Sequence, residues 1–113
     1  MKNIIIVMLL IFVGFTTQAQ EKKNKNAKVE FQVSGNCDMC KKRIEKAAYS
    51  VPGVKSAVWS IETQNLNLIV NEEKTSTLNI KNEIAKAGHD TDEAKATQAD
   101  YDNLHTCCQY ERK

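Results

Sequence analysis

Two cysteines three residues apart, Cys37 and Cys40, are the residues of this 113-residue chain best suited to chemistry. They lie in the segment 34–40 (SGNCDMC), between a predicted strand and a predicted helix. At such a junction both sulfurs can face one point, and the helix N-terminus and the basic run 41–43 (KKR) favour thiolate over thiol. Thiolates are the ligands that soft metal ions prefer. The pair therefore predicts a soft-metal site, and the same spacing also suits a redox dithiol or half of a zinc site.

Hydrophobic periodicity predicts the elements that position this pair. An alternating apolar pattern precedes the cysteines, and apolar residues at helical spacing follow them as far as Pro52-Gly53, with Asn36 or Asp38 as the candidate cap. Two alternating runs then form a hairpin, and a second helix capped by Thr75 or Ser76 ends at Gly88. The predicted order is strand, helix, strand, strand, helix, over residues 28–33, 40–51, 54–62, 65–70 and 77–87.

One more strand would complete a ferredoxin-like βαββαβ fold. We expect that strand at residues 91–97 (TDEAKAT), an acidic and short segment that only a sheet edge can accept. The predicted class is α+β, a four-stranded antiparallel sheet with two helices on one face and a short C-terminal extension. The domain spans residues 28–97 and the extension spans residues 98–113.

The N-terminus has the layout of a secretory signal peptide. A basic start is followed by an apolar run over residues 4–15, and small residues favour a cut after Ala19. The run is shorter than the roughly 20 residues of a bilayer span, so we expect no stable membrane insertion after cleavage. Residues 1–19 are then the signal, residues 20–27 a flexible leader, and the location periplasmic or secreted. A formal charge of +2 and few aromatic residues argue against a nucleic-acid partner.

Two further side chains are candidates near the cysteine loop. In the expected topology the loop after the second helix lies beside Cys37 and Cys40, which makes His89 a third ligand, a proton-linked gate or a hydrogen-bond donor behind the ligands. It can equally be a helix-terminal histidine that only complements the helix dipole. Met39 is either a weak thioether ligand or, as we expect, an apolar residue that turns into the core.

The C-terminal extension contains a second set of soft ligands: His105, Cys107 and Cys108. Adjacent cysteines on one helix point about 100° apart, so only one of them can join an ion that His105 also binds. Three interpretations stay open. The extension supplies a cysteine to the ion of the first pair, or it forms a second metal or redox site, or it is a packing and docking element, with a disulfide to the first pair as a variant.

The chain resembles the heavy-metal-associated domain, the module of exported copper chaperones, copper-ATPase N-termini and the periplasmic mercury-binding protein. The resemblance covers residues 28–96 and implies that Cys37 and Cys40 bind one soft ion and pass it to a partner. Two positions differ: Gly35 stands where the family usually has a loop-anchoring Met, and His89 stands where it usually has an aromatic residue or Lys. The matching segments are 33–40, 44–47, 52–54, 58, 68–70 and 84–89.

Three hypotheses follow for function. The first is an exported protein without enzymatic activity that binds Cu(I), or less favourably Hg(II), Zn(II) or Cd(II). It sequesters the ion or hands it on to a metal-transporting ATPase or another metal-handling envelope protein. The second is a thiol–disulfide oxidoreductase that uses Cys37 as the nucleophile and Cys40 as the resolving thiol. The third is a metal-free interaction module.

Overall fold

The computed structural model describes residues 23–113, and the predicted signal peptide over residues 1–19 lies outside the described residues. The elements follow the predicted order as far as the second helix. None of the helices in residues 23–113 combines the length and the apolar character that crossing a membrane requires. The elements are β1 (Ala27–Gln32), α1 (Asp38–Tyr49), β2 (Val54–Trp59), β3 (Asn65–Val70), α2 (Thr77–Lys86), α3 (Gln98–Asp102) and a 3₁₀ helix (Thr106–Cys108).

Within residues 23–113 the sheet has three antiparallel strands in the order β1-β3-β2. β3 pairs with β1 from Ala27 opposite Val70 to Gln32 opposite Asn65, and with β2 across an irregularity between Val54 and Ser56. Because side chains alternate along a strand, this register puts the apolar set of all three strands on one face. The buried residues of that face are Phe31, Ala57, Trp59, Leu66, Leu68 and Val70.

Both helices cover this face with one apolar stripe each. In α1 the predicted stripe of Cys40, Ile44 and Ala48 is buried, because residues four apart lie on the same side of a helix. In α2 the stripe is formed by Ile80 and Ile84. The Ser76 hydroxyl caps α2 by accepting a hydrogen bond from the Asn79 N–H at 3.2 Å, as predicted.

The predicted fourth strand is absent from the described part of the chain. Residues 91–97 contribute one isolated bridge, Val33 with Thr91, just beyond the end of β1. Thr91 instead closes a local turn, since its N–H and its side-chain oxygen both bond to the backbone of Ala94 at 2.8–3.0 Å. Lys81 pairs with Asp92 at 2.9 Å and with Glu93, which holds the acidic residues toward α2 rather than along a sheet edge. The four-stranded sheet was therefore wrong, because these groups find local partners.

The C-terminal extension folds back onto the domain. The Thr97 side chain caps α3, and Leu104, Cys108 and Tyr110 are buried in the same core as the sheet. Gly88, at φ +106°, makes this approach possible, because a Cβ there would lie 2.8 Å from the Leu104 side chain. The extension is therefore part of the domain's core.

Candidate metal centre

Three cysteine sulfurs converge at the end of the sheet where β1 leads into α1. The Sγ atom of Cys37 lies 3.5 Å from that of Cys40 and 3.6 Å from that of Cys108. The three sulfurs all lie within 4.8 Å of one another, and all four cysteines of the chain are free thiols. Cys40 and Cys108 are buried while Cys37 is partly exposed, so the cluster opens to solvent on the side of Cys37.

The first two sulfurs are placed by the start of α1. Cys37 is the N-cap residue, in extended conformation, and its carbonyl accepts the Lys41 N–H at 3.0 Å. The predicted caps Asn36 and Asp38 were wrong, since no side chain caps this helix. The helix N-terminus is thereby left open toward the cysteine sulfurs, and Cys40 follows on its first turn.

The thiols of the cluster differ in acidity. Hydrogen bonding from the Cys40 backbone N–H lowers the pKa of Cys37 to about 7, against the opposing effect of partial burial. Burial, together with the neighbouring sulfurs of Cys40 and Cys37, raises the pKa of Cys108 to about 11, although Arg43 opposes the shift. At neutral pH, Cys37 is therefore partly ionised and available as a nucleophilic thiolate, whereas Cys108 is protonated. A metal ion that binds Cys108 must displace its proton.

Cys107 lies outside the cluster, at its solvent-facing edge. Its sulfur is exposed, 3.9 Å from that of Cys108 and 3.7 Å from the Sδ atom of Met39. Hydrogen bonding to Cys108 raises the pKa of Cys107. Met39 is 44% exposed, so the expectation that it turns into the core was wrong.

The anchoring position that Met39 does not take is filled by a tryptophan. The Trp59 ring packs against Gly35, where a Cβ would come within 3.0 Å of the ring and 3.1 Å of the Cys40 Cβ. The indole N–H donates to the Val33 carbonyl at 2.9 Å, which ties β2 to the start of the cysteine loop. Gly35 and Trp59 therefore fit together as a pair, with the glycine leaving room for the ring.

His89 lies beside the loop, as the topology predicted, but it is not among the three grouped ligands. Its Nδ1–H donates to the Ser34 carbonyl at 2.8 Å, and the Ser34 N–H donates to the Asp90 carbonyl at 2.9 Å. Its ring is fully buried and stacks on Tyr110, and burial lowers the pKa of His89, as does the charge of Arg43. The histidine thus joins the cysteine loop to the extension.

His105 is also apart from the cluster. It is exposed at the start of the 3₁₀ helix, and its carbonyl accepts the Cys108 N–H at 2.8 Å. Of the predicted site residues, the structure therefore brings together Cys37, Cys40 and Cys108 and leaves His89, His105 and Cys107 around them.

Sequence reasoning missed the groups that hold the extension in place, which we call the tail clasp: Asp90, Tyr110 and Arg112. The Tyr110 hydroxyl accepts the Asp90 N–H and donates to the Gly88 carbonyl, each at 2.8 Å. The Arg112 guanidinium donates to both Asp90 carboxylate oxygens at 2.8 and 2.9 Å. Only the basic pair at residues 112–113 could have indicated these contacts in the sequence.

The part of the chain that contains Cys37 and Cys40 is similar to known proteins. The family model described as "Heavy-metal-associated domain" matches residues 30–90, and no curated protein sequence matches the chain. The extension with Cys108 and most of the tail clasp lies beyond that match.

Solved structures with the same fold are similar at modest identity. A CopZ metallochaperone is 26% identical with a TM-score of 0.56, over 57% of this chain and 98% of that one. The N-terminal domain of a potential copper-translocating P-type ATPase from Bacillus subtilis, in the Cu(I)-loaded state, is 27% identical with a TM-score of 0.56, over 58% and 84%. Oxidized MerP from Ralstonia metallidurans CH34 is 25% identical with a TM-score of 0.51, over 57% and 94%. The chain belongs to the heavy-metal-associated domain family.

Proposed function

We propose that this chain is an exported carrier of a soft metal ion, with Cu(I) as its principal cargo and Cys37 and Cys40 as the primary ligands. The observation that carries the proposal is the convergence of these sulfurs to 3.5 Å at an open helix N-terminus. Of the two, Cys37 reaches solvent, and its pKa of about 7 provides a thiolate for capture at neutral pH. A partly exposed site suits exchange with a partner.

The donor set supports Cu(I) over Zn(II). Soft thiolates select Cu(I), whereas structural Zn(II) sites take four ligands. The described residues bring three sulfurs within 4.8 Å of one another, with no His, Asp or Glu in the group. Hg(II) and Cd(II) are the competing ions that thiolates also bind.

The solved relatives support a transporter as partner. They include copper-binding domains of P-type ATPases alongside a metallochaperone. We propose that this chain exchanges its ion with such an ATPase, or with another metal-handling protein of the envelope, by stepwise replacement of one thiolate at a time.

The oxidoreductase alternative shares the acidic Cys37 but has less support. The chain has a single proline, Pro52, which follows α1 at the end opposite the cysteines. Twelve helical residues put about 18 Å between the two ends of α1, so this proline cannot contact the dithiol as a substrate-orienting residue would. A metal-binding role accounts for the open cluster of thiols more simply than catalysis of thiol–disulfide exchange does.

Anaerobic titration of the reduced mature protein with Cu(I), against a chromophoric chelator, tests the proposal. We expect one tightly bound ion per chain, lost in the Cys37→Ser/Cys40→Ser double variant and retained in a matched His105→Ala variant. Unchanged Cu(I) affinity in the double variant contradicts the proposal. Native mass spectrometry of protein from the cell envelope reports the bound ion and whether the chain begins at Gln20.

A further inference from the structure

We propose that Cys108 is the third thiolate of a three-sulfur site, so that the C-terminal extension carries a ligand and slows release of the ion that Cys37 and Cys40 bind. This inference rests on the proposed function and specifies its coordination. Cys108 lies outside the segment matched to the family, and its sulfur completes the cluster with Cys37 and Cys40.

The distances fit a single ion. With sulfur separations of 3.5 and 3.6 Å and a third of at most 4.8 Å, a point equidistant from the three sulfurs lies within about 2.4 Å of each. A zinc–thiolate bond is about 2.3 Å long, so an ion of similar radius fits among the sulfurs with little movement of the backbone. The Cys40 sulfur also lies 3.9 Å from the Cys108 carbonyl, which places the extension directly over the pair.

The extension is held in position independently of any ion. Tyr110 is buried two residues after Cys108, and its hydroxyl bridges the Asp90 N–H and the Gly88 carbonyl. Arg112 grips the Asp90 carboxylate with two hydrogen bonds and also donates to the Ala96 carbonyl at 2.6 Å. Because these contacts fix the backbone on the far side of Cys108, adding the third ligand costs little further conformational entropy.

The charge around the cluster suits three thiolates. Three thiolates with one Cu(I) ion carry a net charge of −2, which a buried site must offset. Arg43 on α1 has a buried Nη1 atom without a hydrogen-bond partner. Hydrogen bonding by its side chain lowers the pKa of Cys108, and its charge lowers the pKa of His89. The open N-terminus of α1 adds the partial positive charge of its free N–H groups.

Binding at this site is a ligand exchange that balances without a redox partner. Each sulfur that still carries a proton releases it to solvent as the sulfur bonds to the ion, a sulfur that is already a thiolate bonds directly, and the ion keeps its oxidation state. A partner that attacks from the open side meets Cys37 first, while Cys40 and Cys108 are buried. Release therefore requires the Cys108 bond to break beneath the extension, which slows loss of the ion.

X-ray absorption spectroscopy of the reduced full-length protein, loaded with less than one equivalent of Cu(I), counts the sulfur ligands directly. We expect three in the wild type, two in Cys108→Ala and three in the matched control Cys107→Ala, which removes the adjacent exposed thiol. Chelator competition should show Cu(I) affinity reduced at least about tenfold in Cys108→Ala and unchanged in the control.

The outcomes separate this inference from the proposed function. Two sulfurs in the wild type, or a loss of one sulfur in Cys107→Ala but not in Cys108→Ala, overturn the third-ligand assignment and leave the carrier intact. No Cu(I) binding by the wild type overturns both. If circular dichroism shows that Cys108→Ala does not fold, the numbers of sulfur ligands in the wild type and in Cys107→Ala still test the third-ligand assignment.

Discussion

At the scale of single residues, the cysteines of the proposed site differ in exposure and acidity, which gives them different roles in the proposed binding of an ion. Cys37 is the solvent-facing sulfur, and hydrogen bonding from the first turn of α1 lowers its pKa, whereas the pKa values of Cys107 and Cys108 are raised. Cys108 is buried and holds its proton to about pH 11, so an incoming ion must compete for it. An ion is thus met first by Cys37 and enclosed afterwards.

Alkylation of the reduced, metal-free protein checks the acidity of Cys37. The thiolate is the reactive form, so the labelling rate should rise as pH increases through about 7 and level off above it. At pH 7 peptide mapping should find Cys37 labelled before the exposed Cys107, whose pKa is raised. A midpoint near the ordinary cysteine value of about 8.5, or earlier labelling of Cys107, contradicts the assignment. The fast phase should be missing from Cys37→Ser.

At the scale of elements, the turn after α2 connects the cysteine loop to the extension. His89 donates to Ser34 and stacks on Tyr110, while Asp90 binds Ser34 through its carbonyl and Arg112 through its carboxylate. Burial would raise the pKa of Asp90, but the hydrogen bonds from Arg112 and the Ala96 N–H outweigh it and lower the pKa. The acidic residue is therefore charged at neutral pH and anchors the extension.

Breaking the tail clasp should loosen the extension and expose Cys108. Arg112→Ala removes a charge-assisted pair with a buried carboxylate, and we expect the free energy of unfolding to fall by about 2 kcal/mol. Cys108 should then be alkylated faster in the native protein, a change that Lys113→Ala, the matched control, should not produce. Equal protection of Cys108 in the wild type and Arg112→Ala would show that the clasp does not hold the third sulfur.

The pH dependence of this effect follows from the lowered pKa of Asp90. A carboxyl with a lowered folded-state pKa stabilises the protein above its unfolded-state value of about 3.9. That contribution is lost as pH falls through the folded-state pKa. The stability difference between the wild type and Arg112→Ala should accordingly be full at neutral pH and shrink in acid below about pH 4, which urea titrations at several pH values measure.

At the scale of the whole molecule, the described part of the chain forms a sheet of three strands where four were expected. Residues 91–97 cross the end of β1 with one bridge and then lead into the extension, whose Leu104, Cys108 and Tyr110 join the core. Part of the apolar packing thus comes from beyond residue 90, where the family match ends. The extension is a structural part of the domain, and it carries the sulfur that we propose as the third ligand.

Truncation after Thr97 tests this structural role. Removing residues 98–113 takes away the buried Leu104 and Tyr110, and the loss of large core side chains should lower the free energy of unfolding by about 3–5 kcal/mol. Chemical denaturation of the metal-free proteins measures the difference, with removal of Lys113 alone as the control. An unchanged unfolding midpoint in the truncated protein would mean that the extension packs against the core without contributing to its stability.

Local patterns were enough to predict the first five elements and the primary cysteine pair. Alternation and helical spacing depend on which residues face a shared core, so they are visible in the chain itself, as in the buried stripe of Cys40, Ile44 and Ala48. The last strand could not be judged this way. Whether residues 91–97 form a strand depends on contacts with residues distant in sequence, above all on Lys81, which forms ion pairs with Asp92 and Glu93.

The sequence by itself determined that two thiols would meet at the start of a helix, because a strand, a short loop and a helix in succession constrain them locally. Only the tertiary structure decided which of Cys107 and Cys108 joins them. That outcome depends on the hydrogen bonds of Tyr110 with Gly88 and of Arg112 with Asp90. Each joins residues 22 apart in sequence, so no hydrophobic periodicity in the chain indicates it. The same folding decided that Trp59, rather than Met39, anchors the loop, because only the packed structure brings Gly35 against the ring.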